Sequence, residues 1–125
     1  MKRLTFLLLF ALACNRAETP QQSTAPDAAP ADPKIARGRQ LVVQYGCTVC
    51  HVIPTIDGDH GALGPSLAGV ATRPTISMGV VQNTPANLAQ YVQDPASLNP
   101  QSTMPPIGLN DADADAIASF LLTLK

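Results

Sequence analysis

Cys47-Thr48-Val49-Cys50-His51 constrains this chain more than any other feature, because two thiols two residues apart followed directly by a histidine have the spacing of covalent haem attachment. The two sulfurs reach the two vinyl groups on neighbouring edges of a porphyrin as thioethers, and the adjacent imidazole turns to the iron as an axial ligand. Two rival uses of the same spacing are weaker. A zinc site wants four ligands in a tetrahedron, and the other candidates are His60 and the distant Cys14. A thioredoxin-like redox pair wants a βαβ context, which the Pro- and Gly-punctuated surroundings do not offer.

Length sharpens the expectation. Of 125 residues, the first 32 have the composition of a leader and a linker. The roughly ninety that remain form a domain whose polypeptide core alone is marginal. With no Trp, two Tyr and three Phe in the whole chain, a large apolar plate such as a porphyrin would supply much of what is buried. The formal charge of −1 leaves no basic patch for phosphates, so no nucleic-acid partner is expected.

Lys2-Arg3, the apolar run Leu4 to Leu12, and Ala11-Leu12-Ala13 form the parts of a signal peptide over residues 1–13. The apolar run is too short to stay as a membrane span. Ala11-Leu12-Ala13-Cys14 resembles a bacterial lipobox, which implies acylation at Cys14. The alternative is ordinary cleavage before or near Cys14, leaving a free thiol, or an uncleaved leader. Lipid on Cys14 and haem on Cys47 and Cys50 would use every thiol, so no disulfide is expected. Residues 14–32, rich in Ala, Pro, Gln, Thr and Ser, read as a disordered, lipid-anchored linker, and residues 33–125 as the haem domain.

Within that domain the sequence predicts an all-α fold of three to five helices with long loops wrapped around one covalent haem. Asp32-Pro33 opens a helix that places Leu41, Val42 and Tyr45 on one face and stops at Gly46. Residues 52–83, rich in Gly, Pro and Thr, read mostly as loop, with no convincing strand. Thr84-Pro85 opens a helix to about Gln93, with Leu88 and Val92 inward, and Asp94-Pro95 breaks it. Asn110 caps a last amphipathic helix. Asp111, Asp113 and Asp115 suit its N-terminal dipole, and Ile117, Phe120, Leu121 and Leu124 recur at helical spacing.

The second axial position has three candidates, His60, Met78 and Met104. Met104 precedes Pro105-Pro106, a stiff segment able to hold a thioether toward iron; its other reading is a core methionine filling a gap. Met78 reads as packing or surface, and His60 as an exposed loop histidine.

From Lys34 to Lys125 the chain resembles the class I c-type cytochromes. The resemblance is carried by the helix with Gly38, Cys47-x-x-Cys50-His51, Gly64-Pro65-Ser66-Leu67, and Met104-Pro105 followed by a terminal helix with an aromatic residue. Asn83-Thr84-Pro85-Ala86-Asn87-Leu88, Asp94-Pro95 and Met104-Pro105-Pro106 look most like the cytochrome c domain of subunit II of some bacterial haem-copper oxidases. The resemblance implies that Met104 is the second ligand, and that the Pro65 carbonyl accepts a hydrogen bond from the His51 nitrogen facing away from iron. It further implies that Gly38 meets Phe120 at a helix crossing, and that Arg73 and Tyr91 bind the haem propionates. The lysine ring of mitochondrial cytochrome c is missing, which argues against strong electrostatic steering. The copper-binding domain and transmembrane helices of the oxidase subunit are missing too.

The function these features imply is a non-enzymatic one-electron carrier on the periplasmic side of a bacterial membrane, tethered by lipid or else soluble. Its donor would be a quinol-oxidising complex or a dehydrogenase, and its acceptor a terminal oxidase or reductase. The alternatives are a five-coordinate haem enzyme or gas sensor, and a permanent haem subunit of a larger oxidoreductase.

Overall fold

A computed structural model describes residues 32–125; the leader, Cys14 and all of the linker before Asp32 lie outside the described residues. The first helix, α1, spans Pro33–Gln44 and is opened by Asp32, whose carboxylate accepts the Lys34 N–H at 2.8 Å. Proline at the first helical position forfeits no hydrogen bond. Gly46, with φ +69°, ends this run in a left-handed conformation that a side chain would resist.

Between α1 and the next helix the chain loops around the Cys47–His51 motif. A single 3₁₀ turn covers Cys47–Val49. The following loop folds back on it through three backbone bonds, each 2.8 Å, from Gly61 N–H to Thr48, Gly64 N–H to Cys50 and Leu67 N–H to Val52. Such closeness demands glycine: a Cβ at Gly61 would lie 1.7 Å from the Val49 carbonyl oxygen.

The expectation of no strand in residues 52–83 is corrected by a small antiparallel hairpin, β1 (Thr75–Ile76) with β2 (Val81–Gln82), paired Thr75 to Gln82 and Ile76 to Val81. Two-residue strands carry too little alternation to register as a period. Ile76 and Val81 are buried, so burial decided their pairing. Next comes α2 (Pro85–Gln93), capped by Thr84 accepting the Asn87 N–H at 3.1 Å, with Leu88 and Val92 buried. Asp94-Pro95 stops α2 but also starts a one-turn helix, α3 (Pro95–Leu98), because proline is as good an opener as it is a breaker.

The last helix, α4 (Asp111–Leu121), is capped by Asn110, which accepts the Asp113 N–H at 2.9 Å. It is buried over most of its circumference, since α1 and α2 both pack on it. That explains the alanines at 114, 116 and 118, all buried: small side chains admit two neighbours at once. Ile117, Phe120 and Leu121 fill the core between them, each burial worth about 1.5–3 kcal/mol. At the α1 crossing, Gly38 lies directly against Ala116 and Phe120.

Asp113 does more than complement the helix dipole. It is 6% exposed and accepts hydrogen bonds from Arg37 (2.8 Å), Tyr45 (3.3 Å) and the Asn110 amide (3.1 Å). These bonds, the Arg37 one above all, hold its carboxyl below the usual carboxylate range against the opposing effect of burial. A second ion pair joins Lys34 to Asp115 along the same helix pair. No helix among the described residues is long and apolar enough to cross a membrane.

Candidate functional site

Three stretches distant in sequence meet around one cavity of about 990 Å³, near the upper end of the range for small-molecule sites. Cys47, Cys50 and His51 come from the turn after α1, Gly64 and Pro65 from the loop that wraps it, and Ser102, Met104 and Pro105 from the segment before α4. The hairpin tip, Ser77 to Gly79, and the inner faces of α2 and α4 complete the lining. Among the described residues Arg73 is the one permanently charged side chain there, so the cavity suits an apolar plate with few polar groups.

The histidine is held in one orientation. His51 Nδ1–H donates to the Pro65 carbonyl oxygen at 2.7 Å, because a carbonyl can only accept. That contact places the proton on Nδ1 and leaves the Nε2 lone pair basic and available to a metal. Gly64 packs on the same ring: a Cβ there would stand 2.3 Å from Cε1 and 2.6 Å from Nδ1. Burial pushes the Cys47 thiol above its ordinary pKa, with a backbone hydrogen bond opposing and the neighbouring Cys50 adding to the rise. Both thiols are half-buried and free of disulfide.

Met104 lines the cavity, half-buried, with its N–H donating to Ser102 Oγ at 3.3 Å. Met78 also lines it but is 82% exposed. His60 does not line it. Nor is it the exposed histidine expected from the sequence: it is half-buried, its Nδ1 accepts the Ile53 N–H at 3.3 Å, and its Nε2 is buried without a partner. The compact fold of the 52–64 loop, not visible in its composition, draws it inward.

Arg73 and Tyr91 both line the cavity, yet each already has a local task. Arg73 Nη2 donates to the carbonyls of Ser66 (2.7 Å) and Ala68 (2.8 Å), pinning the loop that carries Pro65. The Tyr91 hydroxyl is 2.8 Å from Ser102 Oγ, a partner that nothing in the sequence spacing announced.

The rival readings of the thiol pair lose ground here. Among the described residues no group of three or more His, Cys, Asp or Glu side chains is placed to hold a metal ion, as a zinc site needs. The two short antiparallel strands provide no βαβ unit. Two thiols, an oriented imidazole and a thioether around one large apolar cavity do fit a covalently held haem.

Comparison with known proteins points the same way. The family model described as cytochrome c matches residues 35–125. The chain is 30% identical over 90 residues to cytochrome c oxidase subunit 2 of Alkalihalophilus pseudofirmus, covering 71% of this chain but 25% of that subunit. It is 32% identical over 93 residues to cytochrome c2 iso-2 of Magnetospirillum molischianum, covering 64% of this chain and 95% of the relative. With cytochrome c-551 of Azotobacter vinelandii it shares 33% identity over 89 residues, 70% of this chain and 98% of the relative.

Proposed function

The chain belongs to the cytochrome c family, and from that premise we propose that it is a periplasmic one-electron carrier whose haem is bonded to Cys47 and Cys50 and ligated by His51 and Met104. Membership brings one covalent haem c per chain and a role as a haem-based electron carrier. Bound there, the haem supplies reversible exchange of a single electron at its iron.

The convergence of Cys47, Cys50, His51 and Met104 on one cavity carries the reading. Pro65 keeps the His51 proton on Nδ1 and so makes Nε2 the better donor. A thioether from Met104 favours the ferrous state and raises the potential relative to two histidines. The apolar lining acts in the same direction by disfavouring the extra positive charge of the ferric state. With His51 and Met104 both holding the iron, no position at the metal would be left for a substrate.

The likeness to an oxidase subunit supports a terminal oxidase as acceptor, with a quinol-oxidising complex or dehydrogenase as donor. Of the five cations from Lys34 onward, Lys34 and Arg37 are paired with Asp115 and Asp113, which leaves too few for a lysine ring around the haem edge. Encounter would therefore rest on apolar contact more than on steering, and its rate should fall little with added salt. The leader at 1–13 would direct export, and acylation of Cys14 with the tether to residue 32 would hold the domain at the periplasmic face of a membrane.

Met104→Ala tests the ligation. The wild-type ferric protein should show the sulfur-to-iron charge-transfer band at the red end of the visible spectrum. The variant should lose it, bind carbon monoxide when reduced and have a lower reduction potential. Wild-type ferrous protein that binds carbon monoxide readily would instead favour the five-coordinate sensor.

A further inference from the structure

Asn99 does not line the cavity, but it is tied to two segments that do. It is a buried amide, 4% exposed, and such a group is retained in a small core only when its hydrogen bonds are made. One arm reaches the hairpin: Asn99 Nδ2–H donates to Ser77 Oγ at 2.9 Å. The other shapes the approach to Met104. Asn99 Oδ1 accepts the Gln101 N–H at 3.0 Å, and its carbonyl accepts the Ser102 N–H at 2.9 Å. Ser102 Oγ in turn pairs with the Tyr91 hydroxyl and accepts the Met104 N–H.

The hairpin end of this bridge needs an outside hold. The turn closed by the Gly79 N–H to Ile76 carbonyl bond has Ser77 and Met78 at φ +52° and +55°. Two successive positive φ values are what a type I′ turn demands and what Asn-Gly normally provides. Serine and methionine resist them, so the turn's own residues do not favour its shape. The Asn99 amide supplies a tertiary anchor at the first of the two, and the turn then lays Ser77, Met78 and Gly79 along the cavity.

We propose that Asn99 is a positioning residue for the Met104 side of the haem site, clamping the Ser77–Met78 turn against the segment that delivers Met104 and so limiting access to the axial position. The proposal rests on ligation by Met104. Loss of the clamp would leave Met104 bound but more easily displaced.

The test uses haem-loaded ferric protein and imidazole as the competing ligand, read by the charge-transfer band. Ser77→Ala removes the acceptor and leaves the buried amide in place, so it remains informative if Asn99→Ala fails to fold. Loss of the Asn99–Ser77 hydrogen bond predicts imidazole binding about fivefold tighter in Ser77→Ala, and at least as great a change in Asn99→Ala, which also loses the bond from the Gln101 N–H. Ser97→Ala, which removes exposed bonds to Gln90 and to the Asp94 carbonyl, should not alter it. Ser77→Gly separates clamp from turn: glycine accepts positive φ but offers no hydroxyl, and it should behave like Ser77→Ala. Imidazole affinity unchanged in Ser77→Ala, or restored to wild type in Ser77→Gly, overturns the clamp. A wild type without the band overturns the ligation reading itself, which the variants cannot do.

Discussion

Replacing Gly38 by alanine opposes two effects of known sign. In an ordinary helix interior the change would stabilise by about 1 kcal/mol, because alanine loses less backbone freedom on folding. Here the added Cβ would stand 2.0 Å from the Ala116 carbonyl oxygen, 2.7 Å from its carbon and 2.8 Å from Phe120 Cβ. Contact distances between non-bonded atoms start near ~3.5 Å, so α1 and α4 must part by more than an ångström. The obstacle is the backbone of a helix buried on most sides and cannot swing aside as a side-chain tip would. Overpacking costs about 1–3 kcal/mol, and a backbone clash belongs at the top of that range. The net expectation is a loss of about 2 kcal/mol, which for a domain of this size lowers the melting temperature by about 8–16 °C. Thermal and guanidinium unfolding of the haem-loaded Gly38→Ala protein, followed by far-ultraviolet circular dichroism, measures it. Stability equal to or above wild type would mean that propensity outweighs packing and that the crossing is looser than 2.0 Å implies.

Gly64→Ala should turn the His51 ring away from a Cβ otherwise 2.3 Å distant and break its bond to Pro65. The expected cost is about 1 kcal/mol with a changed visible spectrum; an unaltered spectrum and melting point would contradict the wedge. Asp113 has a folded-state pKa below its unfolded one, so its contribution to stability is full above the unfolded carboxylate value of about 3.9 and is lost as pH falls through the lower folded value. Asp113→Asn should therefore be less stable than wild type at pH 7, and the difference should shrink in denaturant titrations repeated below about pH 4. A gap that stays constant with pH would remove the Arg37 pairing as its cause.

Local chemistry was legible in the sequence wherever neighbours in the chain act on each other. Asp32-Pro33, Thr84-Pro85 and Asn110 each open a helix because cap and first turn lie within a few residues, and the Cys47–His51 spacing names its cofactor for the same reason. What depends on distant partners was not legible. The hairpin at 75–82 exists because Ile76 and Val81 find the core, α3 because Pro95 is buried, and the inward His60 because its loop closes on the motif. Asp113 looked like a dipole charge and proved to be a buried acceptor for Arg37 and Tyr45. Tyr91 and Ser102, and Asn99 and Ser77, meet only after the chain has folded. By itself the sequence determined which residues are chemically able to hold a haem, since thiol, imidazole and thioether are properties of single side chains. Only the tertiary structure decided that they face one cavity, because closing a loop of some fifty residues between His51 and Met104 is favoured by the packing of α1, α2 and α4 together and not by anything written between those two positions.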